Sequence, residues 1–216
     1  MREYHKIEGL FKRDETTKKL LAGEYRNEAV EMLKDCEWEF TEKIDGTNVR
    51  VVWDGYKVSF YGRTDRAQLP PRLLEVLNAT FGGEVNEQIF EQHFGDAEVI
   101  LYGEGYGAKI QKGGGDYRSD NAFILFDVQV GDLFLTRENV DLVATYFGVE
   151  SVPVVLRGTI AEGIHFVRSR PNSTIGVAKM EGVVGRPRVE LRDRRGNRVI
   201  VKIKVRDMAE LEGAEE

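Results

Sequence analysis

Between Trp38 and Trp53 an alternating run is cut once and then resumes. Trp38 and Phe40 open an apolar-aromatic pattern that reaches Ile44, Asp45-Gly46 breaks it, and Val49, Val51 and Val52 restore it. Period-two alternation is the mark of a strand, so this stretch commits the chain to β-structure before any other segment is considered. The same period puts Lys43 on the face opposite Phe40, Glu42 and Ile44, at a strand end where its amine can point into a cleft. Gly46 supplies a backbone permissive enough for a sharp turn beside a bound phosphate. Taken alone, Lys-Ile-Asp-Gly reads as a hairpin turn, since Asp-Gly is the strongest short turn signal. Taken with Glu42, it is also the pattern of a lysine nucleophile presented to a nucleotide.

Strand signals dominate the remainder of the chain. Trp38–Ile44, Val49–Trp53 and Lys57–Tyr61 read as a meander, with Asp54-Gly55 as its hairpin turn. Val99–Tyr102, Phe123–Val128, Leu133–Leu135 and Val152–Leu156 read as further strands. Glu181–Leu191 and Arg198–Val205 form a long hairpin about Arg194-Arg195-Gly196-Asn197. Thr16–Lys34 predicts a helix or a broken helix pair on Leu20, Leu21, Val30 and Leu33, with Gly23 weakening its middle. Pro70-Pro71 opens a helix carrying Leu73, Leu74 and Leu77. Asn86–Phe94 predicts a second helix, closed by Gly95, and Thr136–Phe147 a third, closed by Gly148. Lys6–Arg13 fits a short strand or an irregular arm equally well. With no internal repeat, low-complexity linker or break in composition, residues 1–216 read as a single α+β domain of antiparallel sheets and peripheral helices.

The composition bounds the function. Of 216 residues, 41% are hydrophobic and 31% charged, as in an ordinary globular protein with a packed core. One cysteine, Cys36, excludes an internal disulfide and suits a reducing cytoplasm, which is the expected location. The polar start Met1-Arg2-Glu3-Tyr4-His5-Lys6 is unlike a signal peptide, and no apolar run approaches the roughly 20 residues that span a bilayer, so no membrane partner is expected. A net charge of −6 argues against a wholly basic nucleic-acid-binding surface. The charge is uneven, however. Arg186–Arg206 is dense in arginine and lysine, which leaves a local basic surface for a polyanion.

Further motifs succeed Glu42-Lys43-Ile44-Asp45-Gly46-Thr47-Asn48 in order. Tyr102-Gly103-Glu104-Gly105-Tyr106-Gly107 alone is a glycine-rich turn, and Phe123-Ile124-Leu125-Phe126-Asp127-Val128 alone is a core strand. Glu181-Gly182-Val183-Val184 precedes Val199–Val205, where alternation sets Lys202, Lys204 and Arg206 on one face and Val201, Ile203 and Val205 on the other. Alone, that last segment is an amphipathic edge strand with solvated lysines. Together the set resembles the five ordered motifs of the covalent nucleotidyltransferases, the superfamily of ATP-dependent ligases and mRNA capping enzymes, across about three-quarters of the chain. The Thr47-Asn48 pair is similar to RNA ligases in particular, because DNA ligases and capping enzymes usually carry arginine where Asn48 stands, and the motifs taken jointly resemble ATP-dependent RNA ligases of the second, phage RNA-repair type.

The resemblance implies a nucleotidyltransferase (ATP-grasp-like ligase) domain with sheets flanking a nucleotide cleft. It implies an ATP-dependent RNA ligase that joins 3′-OH and 5′-phosphate ends through a lysyl-AMP intermediate. Lys43 would be the nucleophile, Lys202 and Lys204 would contact the α-phosphate, and Glu42 would read the adenine amino group. Glu104 would bind the ribose hydroxyls, Phe123 would stack on the purine, and Arg63 would meet phosphate or the acceptor end. Glu181 would help to hold Mg²⁺ or Mn²⁺, while Asn48, Lys109 and Lys112 are candidates for substrate or phosphate contacts. RNA ends, in a nicked duplex or an RNA–DNA hybrid, are the implied partners. A neutral amine near pH ~7.4 costs a free lysine about 4 kcal/mol, so neighbouring cations are needed to activate it. Only about a dozen residues come after Lys204, so no C-terminal accessory domain is expected. A capping-type guanylyltransferase, separable by ATP against GTP labelling, and a silent nucleotide- or RNA-binding module, which would bind ATP without becoming labelled, are the alternatives.

Overall fold

The computed structural model describes residues 3–212. In chain order the elements begin with β1 (Phe11–Arg13), β2 (Leu20–Tyr25), α1 (Glu28–Met32) and β3 (Trp38–Lys43). Next come β4 (Thr47–Trp53), β5 (Val58–Tyr61), α2 (Pro71–Phe81), α3 (Glu84–Phe94), β6 (Val99–Gly107) and α4 (Gly114–Tyr117). They continue with β7 (Asn121–Val130), β8 (Leu133–Phe134), α5 (Arg137–Tyr146), β9 (Glu150–Ser151), β10 (Val154–Gly158) and α6 (Ile160–Arg168). The last are β11 (Gly182–Pro187), β12 (Val201–Lys204) and α7 (Val205–Glu212). The fold class is α+β, as expected from the sequence.

Two compact units share these elements: residues up to His5 with Asp45–Val152, and Lys6–Ile44 with the chain from Pro153 onward. In the first unit the strand order is β5-β4-β6-β7-β8, all antiparallel, and β9 pairs parallel with β7. Val49, Val51, Leu101 and Leu125 form one face of that sheet and pack on Leu73, Leu77 and Phe81 of α2, Phe90 of α3, and Val140 and Val143 of α5. Trp53 stacks on Phe90 at 5.5 Å and donates its indole N–H to the carbonyl of Gly95, which joins sheet to helix by a polar as well as an apolar contact.

In the second unit β10-β3-β11-β12 form a four-stranded antiparallel sheet, and β1 pairs with β2. Its core joins Trp38, Phe40, Val183, Val201 and Ile203 to Ile160 and Val167 of α6 and to Met208 and Leu211 of α7. Phe40 lies over two glycines, Gly163 of α6 and Gly185 of β11, where a Cβ would come within 2.6 Å of the ring. The sequence therefore makes room for one large ring by omitting two side chains.

The structure corrects several expectations. Residues 16–34 are not helical throughout. Asp14 accepts the N–H groups of Thr16 and Thr17, Lys18 has φ +60°, and the resulting turn folds Leu20–Tyr25 back on β1 as a strand, leaving only α1 helical. The expected meander fails at its first step: β3 pairs with β10 and β11, whereas β4 pairs with β5 and β6. The Asp54-Gly55 hairpin forms as predicted, with Asp54 accepting from Tyr56 and Lys57. Tyr102–Gly107 lies within strand β6, not in a turn. Of the strand expected at 152–156 only the part from Val154 forms, as β10, while Val152 and Pro153 connect it to β9, which belongs to a different sheet. Val205 and Arg206 begin a helix, so Arg206 does not continue the Lys202–Lys204 face.

Candidate active site

The geometry around Lys43 is set by strand register. Gly182 on β11 faces Lys43 on β3 across one side and Lys204 on β12 across the other. Two residues along, Val184 faces Thr41 and Lys202 in the same way. Registered partners and residues two apart share a face, so Lys43, Lys202, Lys204 and Thr41 project from one side of this sheet. Val183 and Ile203 point to the other side, into the core. Gly182 has φ +157°, and a Cβ there would collide with the backbone carbonyl of Ile203, so the row centre carries no side chain. Its neighbour Glu181 supplies the counter-charge. One carboxylate oxygen of Glu181 accepts from Lys43 Nζ at 2.6 Å, and the other accepts from Lys204 Nζ at 2.5 Å.

The electrostatics match this arrangement. Burial works against ionisation of Glu181, but the charge of Lys43 and the hydrogen bonds from Lys204 and Lys43 outweigh it and hold the carboxyl below its ordinary range. Lys202 is pushed the other way: burial, then repulsion from Lys204 and Lys43, lowers its proton affinity. Glu181 pairs with Lys43 and Lys204, and Glu8 and Glu181 both act on Lys202, so three lysines against two carboxylates leave a net positive face suited to an anion.

Glu42, on the opposite side of β3, is 1% exposed. One of its oxygens accepts from the Ser173 hydroxyl at 2.5 Å, and the other from the Thr174 N–H at 2.9 Å and the Thr174 hydroxyl at 2.5 Å. Nothing in the sequence around 173–174 marks these two residues, because they act through one long-range partner.

The remaining predicted residues belong to the first unit. Asn48 and Glu104 face each other across β4 and β6, one step from the Thr47–Gly105 pair. A Cβ on Gly46 would run into the Gly105 carbonyl and lie 2.8 Å from Glu104 Cγ, so glycine is required there by close approach. Gln111 donates to the Gly46 carbonyl at 2.8 Å and the Tyr117 hydroxyl accepts from the Asp45 N–H at 3.3 Å, tying the segment 107–117 to this turn. The side-chain oxygen of Asn48 is buried and takes no hydrogen bond among the described residues. Lys109, at φ +68°, and Lys112 are exposed on that segment.

Arg63 is exposed on the turn after β5. The turn is held by Arg50, fully buried, which donates to the Gly62 carbonyl at 2.9 Å and to Asp65 at 2.8 Å. Arg50 lies outside the motifs, and its available signal is a charged residue inside a valine-rich strand. Phe123 lies in the core, 4% exposed, edge-on to Phe81 at 5.3 Å and filling the space that Gly103 leaves open.

Among the described residues no group of three or more His, Cys, Asp or Glu is gathered for a metal ion. Glu181 offers a hard oxygen donor in the lysine cluster, where it already pairs with two lysines. A hydrated divalent cation, which needs few protein carboxylates, fits that donor set. Much of the basic segment after Arg186 is neutralised locally: Arg188 pairs with Glu37, Arg198 with Glu190, and Arg206 with Asp207.

A lysine, its carboxylate partner and two further lysines thus stand together on adjacent antiparallel strands. The sequence model of the RNA ligase family matches residues 36–204, and the chain belongs to that family. A search of the curated proteins found no match. Among solved structures, the chain is similar to an RNA ligase mutant of Naegleria gruberi with AMP and Mn, at 19% identity and a TM-score of 0.61 over 86% of this chain and 54% of that one. It is similar to an apo mutant of the Naegleria gruberi RNA ligase at 21% identity and a TM-score of 0.60, covering 86% and 53% of the two chains. The Naegleria gruberi RNA ligase with PPi gives 20% identity and a TM-score of 0.59, covering 87% and 54%. The chain thus spans about half the length of these structures, which share its fold.

Proposed function

We propose that this chain is an ATP-dependent RNA ligase that seals 3′-OH and 5′-phosphate RNA ends through an adenylate on Lys43, in the service of RNA repair. The observation that carries the reading is the register row Lys43–Gly182–Lys204, with Glu181 bridging both amines and Lys202 two residues along. In the first step the Lys43 amine, having given up its proton, forms a bond to the α-phosphorus of ATP while the bond to pyrophosphate breaks. In the second, the 5′-phosphate of an RNA end takes the adenylyl group, and the lysine nitrogen leaves and regains a proton. In the third, the 3′-hydroxyl attacks that phosphate, loses its proton and expels AMP.

The side chains present suit these steps. Lys202 and Lys204 share the face of Lys43 and would stabilise the charge that builds on the transferring phosphoryl group. The Lys43–Glu181 ion pair must open before the amine can attack. Mg²⁺ or Mn²⁺, held through Glu181 and water, would add positive charge at the phosphates. Glu42 is assigned to the adenine amino group, Glu104 to the ribose, Arg63, Lys109 and Lys112 to phosphates, and Asn48, with its unfilled acceptor, to the incoming RNA end. Phe123 is assigned to the purine from its place beside Gly103 and Phe81. A nicked duplex or an RNA–DNA hybrid is the substrate form to test first.

The test is sealing of end-labelled, 5′-phosphorylated RNA, nicked and single-stranded, with ATP and a divalent metal. A joined product that requires both is expected. Failure to join either the plain or the pre-adenylylated substrate would overturn the reading.

A further inference from the structure

Glu42 is a carboxylate with almost no solvent, and its partners are three neutral donors: the Ser173 hydroxyl on one oxygen, and the Thr174 hydroxyl and N–H on the other. A carboxylate offers about four acceptor positions. Among the described residues three are filled, and the open one is on the oxygen that Ser173 holds. A buried group in this condition is fixed in rotation and asks for one more donor.

The donors belong to a small hairpin. Ser173 N–H donates to the Ala178 carbonyl, Asn172 bridges to Lys179, the Lys179 amine donates to the Asn172 side chain, and Gly176 turns the chain at φ +62°. The Ile175 N–H donates to the Ser173 hydroxyl at 3.0 Å, so that hydroxyl, already an acceptor, is left to donate to Glu42. The hairpin thus presents two hydroxyls and an amide with their hydrogens directed at one carboxylate. Because all three neighbours donate, Glu42 is set as a pure acceptor, able to take an amino group and to repel a carbonyl.

We infer that Ser173 and Thr174 are positioning residues for nucleobase selection, orienting Glu42 so that its last acceptor takes the 6-amino group of adenine. The inference rests on the proposal that Glu42 reads that group. An amino group at the open position completes the set, whereas a hydrogen or a carbonyl oxygen leaves a buried acceptor unsatisfied.

The two readings are separable because binding of a nucleoside monophosphate involves no adenylylation. Calorimetry would compare AMP with purine riboside 5′-monophosphate, which lacks the amino group, on the wild type, Ser173→Ala, Thr174→Val and Thr174→Ser. The wild type should prefer AMP. Ser173→Ala and Thr174→Val should each reduce that preference about fivefold to tenfold, the effect of losing one hydrogen bond. Thr174→Ser, which keeps the hydroxyl, should retain it. Equal weakening for both nucleotides marks a merely structural hairpin and overturns the inference, as does a wild type with no preference or variants with an unchanged one. Labelling of Lys43 by ATP is measured separately, so a failed ligase reading shows as absent labelling and a failed inference as an unaltered nucleotide preference.

Discussion

Glu181 holds Lys43 at 2.6 Å by one oxygen and Lys204 at 2.5 Å by the other, a bridge set by Gly182 pairing with both lysines across the sheet. Removing its charge while keeping its shape, as in Glu181→Gln, should slow adenylylation by about 10²-fold or more, as loss of an electrostatic element does. Stability should respond to pH in a defined direction. The Glu181 carboxyl is lowered in the folded protein, so its contribution is complete above the ordinary glutamate value near ~4.3 and is lost as pH falls through the folded value. Urea denaturation of wild type and Glu181→Gln should show a gap at pH 7 that closes in acid. A gap that stays constant down to the lowest pH at which both fold would contradict this.

Lys202 carries the opposite sign. Its proton is held less tightly folded than unfolded, so its protonation favours the unfolded chain, and stability rises with pH between the lowered value and the ordinary ~10.4. Lys202→Met should therefore be more stable than wild type at pH 7, by a margin that shrinks toward pH ~10.4, while losing about 10²-fold in adenylylation. A variant less stable than wild type at pH 7 would contradict this sign.

How much of the site is legible in the sequence depends on the range of the interaction. Lys43, Glu181, Lys202 and Lys204 each sit in a short motif, and alternation puts the two later lysines on one face, as β12 shows. Their convergence is not readable, since it depends on β11 lying between β3 and β12. Local turn chemistry reads correctly at Asp54-Gly55 and at the Gly95 and Gly148 helix ends. It misleads at Asp45-Gly46, where the chain leaves one sheet for another without forming a hairpin. Helix α6 is absent from the expected elements although Thr159 and Glu162 form a reciprocal capping box, a signal available in the sequence. Ser173 and Thr174 have no local signature, because their partner lies more than 130 residues away.

Gly46→Ala tests the close approach of β4 and β6. The added Cβ meets backbone at Gly105, which cannot swing aside, and Glu104 Cγ at 2.8 Å. Overpacking of this kind costs about 1–3 kcal/mol. Chemical denaturation should register that loss, and a variant as stable as wild type would show that the strands separate there at no cost.

Arg50→Met tests a buried cation that the motifs do not include. It removes the bonds to Gly62 and Asp65 that fix the turn carrying Arg63. Proteolysis at 62–66 should quicken, and adenylylation should fall with Arg63 itself unchanged. Unaltered cleavage of the turn would show that Arg50 does not hold it.

Lys43 is proposed to carry the adenylate. Incubation with α-labelled ATP and Mg²⁺ or Mn²⁺, then denaturing electrophoresis and peptide mapping, measures this directly. The account predicts label on the peptide containing Lys43 in the wild type, label reduced about 10²-fold in Lys204→Ala, and none in Lys43→Ala. Undiminished labelling of Lys43→Ala, or label mapped to any other residue, would contradict it.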